Sequence, residues 1–227
     1  MKISIPPAPK KVLEILNENG FEGYVVGGCV RDSLLGDLPK DWDITTNALP
    51  EETMECFKNF RLIETGLKHG TVTVVINKEP IEITTYRIDG KYSDNRRPDS
   101  VEFTSNIQED LSRRDFTVNA MAYNLNDELV DFFDGQDHLK NKVIKCVGNA
   151  DTRFNEDALR ILRALRFASV LGFEIEENTS KSIHKNKELL KNIAAERIDV
   201  EFNKLICGKN AEFILNNYKD VIAVFIP

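Results

Sequence analysis

The chain has 227 residues, 41% of them hydrophobic and 30% charged, with a formal net charge of −7. That length admits one large or two modest domains with a packed core. The acidic balance excludes a chain that holds nucleic acid through its overall field, so any such contact needs a local patch.

Cys29, Cys56, Cys146 and Cys207 stand far apart, which argues against a zinc site or a disulfide framework and for a reduced, cytoplasmic setting. The first eleven residues hold three prolines and no apolar run, unlike a signal peptide. No stretch reaches the ~20 apolar residues that span a bilayer, so no membrane partner is expected. Val12, Leu13, Ile15 and Leu16 mark an amphipathic helix from about Pro9 to Asn19, ended by Gly20.

The next stretch is the densest in chemical signal. A strand, Tyr24-Val25-Val26, enters Gly27-Gly28; a short helix follows from Val30 to Leu35, stopped by Gly36; then come Asp41 and Asp43. Glycines let backbone approach a phosphate closely, and a helix start points free N–H groups at the same place. On a strand, Asp41 and Asp43 project from one face, and two carboxylates on one face suit a magnesium ion. Alone, each piece fits better with an ordinary glycine turn and solvent-facing aspartates. The compact order of strand, glycine pair, helix and Asp-x-Asp is what favours nucleotidyl transfer.

Asp43 continues into a strand through Ile44-Thr45-Thr46, and Asn47 to Glu52 reads as a helix start. Thr71–Ile76 and Ile81–Arg87 form a hairpin across the turn Asn77 to Pro80. In its second strand Glu82 faces away from Ile81 and Ile83. Glu82 is therefore either a third carboxylate beside Asp41 and Asp43 or an exposed glutamate on a hairpin.

Gly90–Ser100 is polar, carries Arg96-Arg97-Pro98, and reads as a mobile loop. Val101–Thr104 is a short strand. Within Asp110 to Tyr123, Arg113 and Arg114 precede Asp115. Arginine fits phosphate bidentately and the aspartate can accept from a ribose hydroxyl; a surface ion pair is the alternative. Leu129–Phe133 and Val143–Val147 are further strands.

Beyond Gly148 only helical patterns follow: about Asp151–Gly172, Glu177–Asn186, Ala194–Cys207 and Asn210–Tyr218. On the first of these, Ala158, Ile161, Leu162, Leu165 and Ala168 make the apolar stripe, with Asp157 and Arg160 neighbours three residues apart. That pair is either a solvated helix face or a fixed template whose acceptor and donor read a base edge, with Arg163 and Arg166 reaching phosphates or an RNA strand. Lys181, Lys185, Lys187 and Lys191 are candidates for an RNA surface, though such lysines are more often simply solvated.

Taken together, Gly27-Gly28-Cys29-Val30-Arg31-Asp32, Asp41-Trp42-Asp43, Arg113 through Ala120, Glu156-Asp157-Ala158-Leu159-Arg160 and Glu196-Arg197-Ile198 closely resemble the class II tRNA nucleotidyltransferases (the CCA-adding enzymes) and the related bacterial poly(A) polymerases. The resemblance implies an α+β fold: a polymerase β-like nucleotidyltransferase head, a mixed sheet with helices, followed by an all-helical neck. The head is expected over 1–148, with a five-stranded sheet, and the neck over 149–227. Family members usually run longer, so the body and tail are expected to be absent.

The resemblance further implies that Asp41 and Asp43 hold two Mg2+ ions; Glu82, from its place on the strand, is the candidate third catalytic carboxylate. Gly28 and Arg31 would line the triphosphate site, and Gly27, Arg114, Asp115 and Asn119 would belong to the nucleotide-binding set. Glu156, Asp157 and Arg160 would select C and then A, with Arg163 and Arg166 alongside, and Gly90–Ser100 would switch the site from CTP to ATP. The implied reaction is addition of CCA to the tRNA 3′ end from CTP and ATP, releasing pyrophosphate. Poly(A), A-only or C-only addition and a catalytically silent RNA- or nucleotide-binding module are the alternatives. A metal-dependent phosphohydrolase would not need the Glu156-Asp157-Arg160 face.

Overall fold

The computed structural model describes residues 2–90, 92 and 98–226. The chain forms two compact units that interleave along the sequence. One comprises Met1–Asp89, Val101–Arg114 and Asn119–Gly135; the other comprises Gly90–Ser100, Asp115–Val118 and Gln136–Pro227.

The first unit is built on a sheet. Its elements in order are α1 (Pro7–Glu18), β1 (Gly23–Val26), α2 (Gly28–Leu35), β2 (Asp43–Thr46), α3 (Pro50–Cys56), β3 (Arg61–Ile63), β4 (Thr71–Ile76), β5 (Glu79–Thr85), β6 (Arg87–Asp89), β7 (Val101–Phe103), α4 (Ile107–Ser112), β8 (Met121–Tyr123) and β9 (Leu129–Asp131). Seven strands pair in the order β3-β4-β5-β2-β1-β8-β9, and β6 and β7 form a separate ribbon. The sheet is mixed because β2 and β5 run parallel, with Ile44 opposite Ile83, while the other pairs are antiparallel.

Seven strands replace the expected five. The two hardest to see are β3, only three residues long, and β8, whose residues are all buried and so lack the alternation that marks a half-buried strand.

Local chemistry explains the turns. Asn77 and Lys78 take φ of 52° and 72°, the left-handed pair that a two-residue hairpin requires. Helix α1 begins with proline in its first turn, where the missing N–H costs nothing. It buries Val12, Leu13, Ile15 and Leu16 against β1, β2 and β5. Val26, Leu111 and Ala122 form a second buried cluster, joined by Tyr24, Ile107, Val130 and Phe133.

The second unit carries α5 (Gly135–Lys140) from its second residue on, then β10 (Val143–Ile144), α6 (Ala150–Glu156), α7 (Leu159–Leu171), β11 (Glu174–Ile175), α8 (Glu177–Asn186), α9 (Ala195–Ile206), α10 (Ala211–Asn217) and α11 (Lys219–Ile222). Helix α7 is its axis, burying Ile161, Leu162, Ala164, Leu165 and Ala168 and packing on α9, α10 and the parallel pair β10-β11.

The helix expected over Asp151–Gly172 is two helices. Asp157 breaks it with extended backbone, φ −135° and ψ 104°, and its carboxylate accepts from the Leu159 N–H at 3.1 Å. An aspartate that satisfies the first donors of the next helix competes with continuing the previous one.

Candidate active site

The residues singled out by sequence fall into two groups, one in each unit. In the sheet unit, β1 ends at Val26 and the backbone turns sharply at Gly27, with φ 82° and ψ −128°, a conformation essentially reserved for glycine. A Cβ there would stand 3.4 Å from Nη1 of Arg114. Gly28 is different: it opens α2, and a Cβ would meet only Arg31 Nη2 at 3.6 Å. Gly27 is thus required by conformation, whereas Gly28 leaves the helix start uncovered. Helix α2 ends at Gly36, which is left-handed, as its sequence suggests.

Arg31 is buried and held on two sides. Nε and Nη2 reach Asp32 Oδ1 at 2.8 and 2.7 Å, and Nη1 donates to Asn119 Oδ1 at 2.5 Å. Arg114 donates through Nη2 to Asp110 Oδ2 at 3.2 Å. Its Nε is buried with no acceptor among the described residues. Arg31, Asn119 and Arg114 therefore line up at the end of β1 as guanidinium and amide groups around the glycine turn.

The carboxylates lie on an adjoining wall of the same unit. Asp43 is the first residue of β2, and Asp41 precedes the strand rather than lying on it. The register Ile44 opposite Ile83 puts Asp43 next to Glu82, each one residue earlier. All three line a cavity of about 660 Å3 together with Lys40, Trp42 and Thr73.

Asp43 has solvent at its surface but stands on a concave wall. The surrounding protein raises its carboxyl pKa, Arg114 pulls it back down, and the charge of Asp41 raises it further. Glu82 is raised by burial and then by Asp43 and Asp41. Like charges this close favour a shared cation or a proton.

Among the described residues no three His, Cys, Asp or Glu side chains form a ready-made metal cage. The donor set nonetheless suits a hard divalent cation that takes one or two carboxylates and completes its shell with water and substrate phosphates. The raised, mutually repelling carboxyls are the structural reason it fits.

The helical unit holds the other group, and here Asp115, Glu156, Asp157, Arg160, Arg163 and Arg166 each face an opposite charge. Asp115, 8% exposed, accepts from Arg163 Nε and Nη2 at 2.8 and 2.6 Å through Oδ2, and from the Phe116 N–H through Oδ1. Arg160 Nη1 pairs with Glu156 at 2.6 Å. Asp157, at the helix break, faces Arg197 Nη2 at 3.2 Å.

Arg166 donates to the buried Glu201 at 2.5 Å and lies over the Phe167 ring at 3.7 Å. Asp115 raises the Arg163 pKa against the effect of burial. For Arg166 burial prevails and lowers it, with Glu201 opposing. Arg163 and Arg166, read from sequence as free to reach phosphates, thus have partners inside their own unit.

Two residues of these networks drew no role from sequence. Asp110, fully buried, stands three and four residues before Arg113 and Arg114, a helical spacing that was available as a signal. Glu201 had none, since its partners lie 35 and 38 residues earlier in the chain. Of the expected loop Gly90–Ser100, Lys91 and residues 93–97 lie outside the described residues. The lysines considered for RNA each meet a carboxylate: Lys181 with Glu177, Lys185 with Asp151, Lys187 with Asp220 and Lys191 with Glu188.

Residues 23–145, just over half of the chain, match the family model described as the poly A polymerase head domain. The chain belongs to this family. Residues 172–220 match a second model, described as the probable RNA and SrmB- binding site of polymerase A.

A CCA-adding enzyme of Lactobacillus delbrueckii subsp. bulgaricus is 52% identical over 212 residues, covering 93% of this chain and 52% of the relative. The Bacillus stearothermophilus CCA-adding enzyme in complex with CTP superposes with a TM-score of 0.84 at 41% identity, covering 93% of this chain and 51% of that one. The Thermotoga maritima CCA-adding enzyme complexed with tRNA-CCA gives a TM-score of 0.80 at 30% identity, covering 97% and 52%. The chain therefore spans about half the length of the curated relatives it matches. The family resemblance carried by the motifs holds, as does the mixed α+β head with a helical remainder. No helix among the described residues is long and apolar enough to cross a membrane.

Proposed function

We propose that the protein is a template-independent RNA nucleotidyltransferase that adds CCA to the 3′ end of tRNA from CTP and ATP, releasing pyrophosphate. The observation that carries this reading is the pairing of a crowded carboxylate wall, Asp41, Asp43 and Glu82, with an arginine-lined glycine turn in the same unit. Relatives bearing the CCA-adding name at about this level of identity support it.

Asp41 and Asp43 are the ligands for a divalent cation, proposed as Mg2+, with Glu82 beside them. Once bound, that ion supplies charge for the transferring phosphate and acidity for the attacking 3′-hydroxyl. The chain's own groups bind and orient. Gly27 and Gly28 bring backbone to the triphosphate, while Arg31, steadied by Asn119, and Arg114 meet its oxygens. Asp115 meets the ribose. Glu156, Asp157 and Arg160 present donors and acceptors to the base edge, with Arg163 and Arg166 bracing that face. The tRNA 3′ end is the acceptor, and the protein works in the cytoplasm.

The test is incorporation of labelled CTP and ATP, separately and together, into tRNA lacking its CCA end. Two C additions followed by one A support the proposal. ATP use without CTP use would move the assignment to A-only addition or to poly(A) addition, the latter named in the description of the family model. Nucleotide binding without incorporation would favour the silent binding module.

A further inference from the structure

Asp110 is fully buried, yet its carboxylate gathers groups from three places in the sheet unit. Oδ1 accepts from Arg113 Nε and Nη2 at 3.0 and 2.7 Å and lies 3.4 Å from the Arg87 backbone N–H. Oδ2 accepts from Arg114 Nη2 at 3.2 Å and from the Thr45 hydroxyl at 3.3 Å. Thr45 lies in β2, two residues after Asp43. Arg114 extends its other terminal nitrogen toward Gly27, and its charge is felt at Asp43.

One buried carboxylate thus ties the strand that carries a metal-side aspartate to the guanidinium that overlooks the phosphate turn. Burial pushes the Asp110 carboxyl up, but Arg114 and Arg113 outweigh it and hold the pKa below the ordinary carboxylate range, so the group stays charged. A guanidinium without such a partner would swing toward solvent or toward another acid such as Asp43, whose charge it feels.

We propose that Asp110 is a positioning residue for nucleotide binding: it holds Arg114 over the Gly27-Gly28 turn, in fixed register with β2, so that a triphosphate is gripped in line with Asp43. This rests on the nucleotidyl-transfer reading. Asp110 itself touches no substrate; its effect passes through Arg114. Arginine rather than lysine is needed at 114, because only a fork can meet Asp110 with one nitrogen and a phosphate with another.

The experiment measures equilibrium binding of CTP and of cytidine to the wild-type chain and to Asp110→Asn, Arg114→Ala and the double variant, with thermal unfolding alongside. Asp110→Asn is expected to weaken CTP roughly 10- to 100-fold, the range for a lost charge-assisted hydrogen bond, and to leave cytidine unchanged. On the Arg114→Ala background Asp110→Asn should cost nothing further in CTP binding, although it still lowers Tm.

Equal loss for CTP and cytidine, or full loss retained on the Arg114→Ala background, would mean that Asp110 serves only the fold and would overturn the proposal. Should Asp110→Asn fail to fold, Arg114→Lys carries the test. It is expected to bind CTP as weakly as Arg114→Ala, and wild-type affinity would overturn the proposal. A wild-type chain that binds no CTP and no ATP would overturn the nucleotidyl-transfer reading and the proposal together. Normal wild-type binding with an unaffected Asp110→Asn overturns the proposal alone.

Discussion

The two charged regions of this protein are built on opposite principles. On the carboxylate wall Asp41, Asp43 and Glu82 repel one another, and both Asp43 and Glu82 are driven above their ordinary pKa. On the arginine face of the helical unit Asp115, Glu156, Asp157 and Glu201 each meet an arginine. The first region costs stability, because the charged forms of Asp43 and Glu82 are disfavoured in the fold. The second is satisfied before any ligand arrives. A wall whose like charges repel is suited to a cation and to chemistry; a face whose charges are already paired is suited to presenting a fixed shape. On the proposed reading, catalysis belongs to the sheet unit and selection to the helical one.

The largest expected effect breaks the first side of this contrast. Removing divalent cation with chelator should abolish nucleotide incorporation, by at least roughly 10²-fold, and restore it on readdition. It should leave the helical unit's far-ultraviolet signal unchanged. The same cation should raise Tm, since it binds the folded wall and not the unfolded chain; no shift of Tm would count against the strained wall.

Next comes the second side. Glu201→Gln leaves Arg166 and Arg163 facing a neutral group in a buried place, and should lower unfolding free energy by about 3 kcal/mol in urea titrations. A loss under ~1 kcal/mol would mean that the network behaves as a surface one.

Base selection should respond more mildly. Arg160→Ala removes the donor held by Glu156 and should compress the ratio of CTP to ATP incorporation by roughly tenfold, about one hydrogen bond's worth of discrimination. It should do so with little change in total rate; a uniform fall in both rates would contradict a selecting role.

The smallest effect concerns acid stability. Asp151 is pulled down to about 2, first by Lys185 and then by Ser182 and Asn186. Its folded value lies below the unfolded ~3.9, so its contribution is present above about pH 4 and is lost as pH falls through about 2. Asp151→Asn should flatten the decline of Tm between those limits, modestly because the side chain is partly exposed. An unchanged slope would show that the Lys185 contact is not formed in solution.

What the sequence disclosed follows the same division. Gly27, Asp41 and Asp43 sit close together in the chain, so one strand, one turn and one short helix were enough to read their neighbourhood. Glu82 needed the parallel pairing of β2 with β5, whose paired residues such as Ile44 and Ile83 lie 39 positions apart in the chain, a contact that alternation alone does not specify.

The helix break at Asp157 was hidden because Asp151–Gly172 keeps its apolar spacing across the interruption. The break shows in the extended backbone of Asp157 and in the bond its carboxylate accepts from the Leu159 backbone N–H. The partners of Arg163 and Arg166 were out of reach for a related reason: Asp115 and Glu201 come from distant segments, and an arginine on a helix face carries no mark of what it will meet. Strand β8 reads from sequence as either helix or strand, because a segment buried on both faces has no period to detect.

The most direct test of the division between chemistry and selection is a paired measurement on Asp43→Asn: single-turnover incorporation of CTP, and equilibrium affinity for CTP, in the same buffer with Mg2+. Incorporation is expected to fall by roughly 10²–10³-fold, with CTP affinity within a few-fold of the wild type, because the arginines at the glycine turn remain. Incorporation that survives the substitution would contradict the assignment of catalysis to the carboxylate wall.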